Sequence, residues 1–67
     1  MKVTNRQSNA ITGCTTYTFS TNHTYRVYDN GAEFAYTALG LQPSAAMLSK
    51  MRKVASTFED NRTQIQD

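Results

Sequence analysis

Between Cys14 and Tyr28 the chain alternates polar and apolar residues, in Thr16-Tyr17-Thr18-Phe19 and again in Thr24-Tyr25-Arg26-Val27-Tyr28. A period of two, built from aromatic and β-branched residues, predicts two half-buried strands. The small polar residues Ser20-Thr21-Asn22-His23 between them favour a turn. The pair therefore reads as a β-hairpin with Tyr17, Phe19, Tyr25 and Val27 on its inner face, and with Arg26 and Tyr28 on the other. Upstream, residues 1–13 are polar and offer only Val3 and Ile11 for burial. An edge strand and a mobile arm both fit that stretch.

Two junctions follow. Asp29-Asn30-Gly31 suits a hairpin turn, because Asn-Gly tolerates positive φ, and a third strand would then run over Glu33-Phe34-Ala35-Tyr36-Thr37. The rival makes Asn30 a helix N-cap with Glu33 completing a capping box. Phe34, Ala35, Ala38 and Leu39 recur at helical spacing, and Gly40 stands where a left-handed C-cap belongs. On that spacing the sequence predicts a short helix over residues 31–39. The longer helix is plainer. Pro43 suits a first helical position, and Met47, Leu48, Met51, Val54, Ala55 and Phe58 form one apolar stripe. Glu59 and Asp60 sit badly at the negative end of a helix, so the pattern predicts its end there. Residues 62–66 then form a short last strand or fray. The expected fold is α+β, a hairpin packed on two helices, with a three-stranded sheet and one helix as the alternative.

Length and composition narrow the functional classes. Sixty-seven residues make a single domain, 1–67, with a thin stability margin. Such domains often lean on disulfides, a metal or a second subunit. Cys14 is the only cysteine and His23 the only histidine, which leaves a homodimer or a bound partner. No stretch has the length of a membrane span and the N-terminus lacks an apolar leader core, so a cytoplasmic protein is expected. The net charge of +2, from seven Lys/Arg and five Asp/Glu, is too mild to announce a nucleic-acid binder.

No nucleophile with a base, carboxylate pair, metal-ligand spacing or phosphate loop is assembled. The sequence thus predicts no enzyme, cofactor or metal. His23 reads as a solvated turn residue and Cys14 as a small core residue. For contact with a partner, the candidates are Arg26 and Tyr28 on the hairpin and Lys50, Arg52 and Lys53 on the long helix. That basic triad otherwise reads as a solvated helix face.

Residues 38–45, Ala-Leu-Gly-Leu-Gln-Pro-Ser-Ala, resemble the turn of a bacterial helix-turn-helix. Tyr36 four before the glycine, and Ala46 and Ser49 after it, put the packing out of phase with that motif. Pro43-Ser44-Ala45 followed by Met51, Ala55, Phe58 and Asp60 is similar to the second helix of a small phage-encoded anti-CRISPR family directed against type I-F surveillance complexes. That resemblance implies a ββααβ plan and a protein that binds and blocks a host complex. The family uses acidic surface residues, which have few counterparts here, so no binding residue is carried over. The sequence thus favours a non-enzymatic interaction protein, an inhibitor of phage or mobile-element origin. A dimeric helix-turn-helix-like DNA-binding regulator, with residues 42–53 in the major groove, is the alternative.

Overall fold

The computed structural model describes the backbone of residues 1–66 and the side chains of residues 1–62. It is α+β: a four-stranded antiparallel sheet followed by one helix. The strands are β1 (Val3–Asn9), β2 (Cys14–Phe19), β3 (Thr24–Tyr28) and β4 (Glu33–Tyr36), paired in chain order, and α1 covers Ala45–Gln66. Residues 1–13, for which an edge strand and a mobile arm both fitted, contain the edge strand β1, whose register shifts at a bulge between Val3 and Asn5.

One loop design recurs three times. After β2, Asn22 N donates to Phe19 O at 2.8 Å and Phe19 N to His23 O at 3.0 Å. After β3, Gly31 N donates to Tyr28 O at 2.9 Å and Tyr28 N to Ala32 O at 2.8 Å. After β4, Gly40 N donates to Thr37 O at 2.9 Å and Thr37 N to Leu41 O at 2.7 Å. Each is a three-residue loop whose last residue, Asn22, Gly31 or Gly40, has positive φ. At Gly31, with φ 92°, the absent Cβ is what lets the chain turn.

This design overturns the expected helix over residues 31–39. The Asn30 side chain does accept a backbone bond, but from Ala32 N two residues on at 2.9 Å, which fixes the turn rather than a helix. Glu33 makes no capping box, because Tyr25 and Arg52 engage its carboxylate. Ala38 and Leu39, which completed the helical spacing, are exposed in the third loop. With β4 a strand, α1 has no positioning helix before it. Neither the helix-turn-helix nor the ββααβ plan is present.

The long helix also differs at both ends from its expected bounds. Ser44, not Pro43, sets its start: Ser44 Oγ accepts from Met47 N at 3.2 Å as an N-cap does. At the other end α1 passes Glu59-Asp60 and continues to Gln66, where a short last strand or a frayed end was expected. Glu59 is held by cations and a phenol (below), so it does not act as an unmatched charge at a helix end.

The core lies between α1 and one face of the sheet. Tyr17, Phe19 and Tyr25 are buried against Met51 and Ala55, and Val3, Val27, Ala35, Leu48, Val54 and Phe58 pack around them. Tyr17 stacks on Tyr25 at 6.1 Å and meets Phe58 edge-on at 6.4 Å. The inner face expected for the hairpin is the observed one.

Candidate functional site

Two tyrosine-carboxylate-arginine bridges clamp helix to sheet, and they determine which charges remain free. Tyr17 Oη donates to Glu59 Oε1 at 2.6 Å, Arg6 Nε donates to the same oxygen at 2.5 Å, and Arg62 Nη1 donates to Oε2 at 2.8 Å. In the second bridge Tyr25 Oη donates to Glu33 Oε2 at 2.6 Å and Arg52 Nε donates to Glu33 Oε1 at 2.8 Å. Burial opposes ionisation of Glu59, but the bonds from Tyr17, Arg6 and Arg62 outweigh it and hold the carboxyl below its ordinary value. The Arg52 guanidinium, then the Tyr25 hydroxyl, lower Glu33 in the same way. Burial, with the bond to Glu33 adding to it, pushes the Tyr25 phenol up to about 12.

Three arginines are therefore paired with carboxylates of the chain itself. Arg52, one of the expected partner contacts, is among them. Lys50 and Lys53 are exposed on α1, behind the sheet. Arg26 and Tyr28 lie on the sheet face that no described element covers, as the alternation on β3 requires. The structure thus separates the five candidate residues into two on the open face, two on the helix and one in an internal bridge.

The open face contains two further side chains that the sequence reading did not select. Arg26 is opposite Phe34, and Thr24 is opposite Tyr36. Phe34 is 51% exposed and Tyr36 39% exposed. Tyr28 packs edge-on against Phe34, with ring centres 5.8 Å apart at 86°. Tyr28 is the cross-strand neighbour of Cys14 on β2, and that proximity is the main cause of the raised pKa of its phenol. Among the described residues Arg26 has no carboxylate partner. The signal that would have found Phe34 and Tyr36 was the alternation in residues 33–37, which helical spacing masked.

Beside the aromatic corner a cleft of about 810 Å³ opens between the β1–β2 turn and Arg26, with Cys14 and Tyr28 in its wall. His23 sits in the β2–β3 loop, with its Nδ1 2.7 Å from Thr21 Oγ1. Among the described residues no group of three His, Cys, Asp or Glu side chains is placed to hold a metal ion, and no helix is long and apolar enough to cross a membrane. What the open face offers is large rigid aromatic area around one unpaired guanidinium. No family model, curated protein or solved structure matches the chain.

Proposed function

We propose that the protein is a non-enzymatic interaction domain that binds another protein through the open face of its sheet. The observation that carries this reading is the Arg26, Tyr28, Phe34 and Tyr36 cluster, which lies outside the core on the sheet face that no described element covers. Tyrosine and arginine are the residue types that dominate interface energetics. Arg26, lacking an internal carboxylate, favours a partner surface carrying Asp or Glu beside an apolar patch. Binding and blocking a host complex is the role of the phage-encoded inhibitors that the helix resembles, although those act through acidic residues and this face through Arg26. In this reading the protein acts in the host cytoplasm.

Aromatic residues on an open antiparallel sheet also suit single-stranded nucleic acid, which stacks its bases on them. That ligand needs a basic groove along its backbone, and Arg26 is the only cation among the strand residues of this face. Lys50 and Lys53 lie on the helix side and do not extend it. A protein partner is favoured on that ground. The deciding test sets capture of a protein from host lysate against a mobility shift with random single-stranded and duplex oligonucleotides at low salt. The proposal expects a stoichiometric protein complex that Arg26→Glu abolishes. Oligonucleotide binding with a steep salt slope would overturn it.

A further inference from the structure

The open face is not flat. Its outward residues on β1, β2 and β3 form two cross-strand rows, Gln7, Thr16 and Arg26 in one and Asn9, Cys14 and Tyr28 in the next. These six line the cleft of about 810 Å³, and the β1–β2 turn stands over its far end. That turn is held in place. Asn9 Oδ1 accepts from Ile11 N at 2.9 Å and from Thr12 N at 3.4 Å, and Gly13 N donates to Asn9 O at 2.8 Å. It carries Ile11, which is 96% exposed and borders the same cleft, so an apolar side chain stands at the rim almost wholly in solvent.

Charge and hydrogen-bonding capacity define what fits. Arg26 is the only Lys, Arg, Asp or Glu side chain in the lining, and no carboxylate of the described residues pairs with it. One guanidinium matches one carboxylate, which it can bind through two parallel hydrogen bonds. A phosphate dianion would keep a charge uncompensated there. Gln7 has no hydrogen-bond partner among the described residues, and its amide both donates and accepts, as a peptide group does. Two strand spacings separate Gln7 from Arg26, roughly 10 Å. An extended peptide covers that distance in about three residues, at roughly 3.3 Å each.

We propose that this cleft receives an exposed acidic loop of the partner, with an Asp or Glu carboxylate seated on Arg26, the neighbouring peptide groups over Thr16 and Gln7, and an adjacent apolar side chain against Ile11. The inference rests on the reading that the open face meets a protein, and it adds which part of that protein enters. Phe34 and Tyr36, beyond Arg26 on β4, stay outside the cleft and available to the surface around the loop.

The test uses the full chain and a capped peptide, acetyl-Gly-Asp-Leu-Gly-amide, followed by backbone amide shifts in isotope-labelled protein. Shifts should gather at Gln7, Ile11, Thr16 and Arg26, and the peptide should slow alkylation of the Cys14 thiol in the cleft. The same peptide with Asn in place of Asp should bind about tenfold more weakly or worse, the loss of one charge-assisted bond. Thr16→Tyr fills the cleft from an outward strand position that suits an aromatic residue. It and Arg26→Gln should each abolish the preference for Asp, with circular dichroism unchanged. Equal binding of the two peptides, tighter binding of the phosphoserine counterpart, or shifts centred on Lys50 and Lys53 would overturn the proposal. A captured host protein released by Arg26→Glu, but held with full affinity by Thr16→Tyr and by Ile11→Ser, would also overturn it while leaving the partner-binding reading intact.

Discussion

Replacing Glu59 by alanine tests what holds α1 to the sheet. Its carboxylate accepts from Tyr17, Arg6 and Arg62, so the substitution leaves a phenol in a buried side chain and two guanidinium groups without their acceptor. Bonds to charged groups contribute about 1.5–3 kcal/mol each when buried. The Glu59 side chain is 32% exposed, and both arginines reach solvent, so their ion pairs count for less than about 1 kcal/mol. The Tyr17 bond dominates, and the expected loss is about 2 kcal/mol. For a 60–100-residue domain this lowers Tm by roughly 8–16 °C, a large share of a total stability of about 3–10 kcal/mol. Chemical and thermal denaturation followed by circular dichroism measure it. Tyr17→Phe should account for most of the loss, and a double-mutant cycle with Glu59→Ala should show coupling of about 1 kcal/mol. If Glu59→Ala melts within 2 °C of the wild type, the bridge does not hold the helix and the reasoning fails.

Two other outcomes follow from single contacts. Tyr25 has its folded-state pKa raised from 10.0 to about 12, so its contribution is fully present below pH 10 and is lost as pH rises toward 12. Alkaline unfolding should therefore set in across that window and weaken in Tyr25→Phe, as read by tyrosinate absorbance; identical alkaline curves would refute it. Gly13 has φ 68°, and an added Cβ would lie 2.9 Å from Asp29 Oδ2, whereas Gly31 at φ 92° has open space around it. Gly13→Ala should cost about 1–3 kcal/mol and exceed Gly31→Ala, with equal Tm losses arguing against the Asp29 contact.

The hairpin faces and the helical stripe were legible because each depends on local periodicity. Tyr17, Phe19, Tyr25 and Val27 alternate inward, and Met47 through Phe58 repeat as a helix requires. β4 was not legible, since Phe34, Ala35, Ala38 and Leu39 satisfy helical spacing by themselves. What makes it a strand is nonlocal: Glu33 reaches Tyr25 and Arg52, and Phe34 meets Tyr28. The end of α1 was misplaced largely for the same reason, as two of the three partners of Glu59, Tyr17 and Arg6, lie 42 and 53 residues away. Of the site, Arg26 and Tyr28 were found from strand alternation. Phe34 and Tyr36 were hidden by the helix assignment, and Arg52 looked like a free surface cation until its pairing with Glu33 was seen.

The proposed contact is made by the open sheet face, not the helix. Its most direct test is the affinity of the captured partner for Arg26→Ala/Tyr28→Ala, compared with Lys50→Ala/Lys53→Ala. Two hot-spot truncations of at least 1 kcal/mol each should weaken binding by about 30-fold or more, and the helix pair should stay within about twofold. Unchanged affinity in the first variant, or loss confined to the second, would contradict the account.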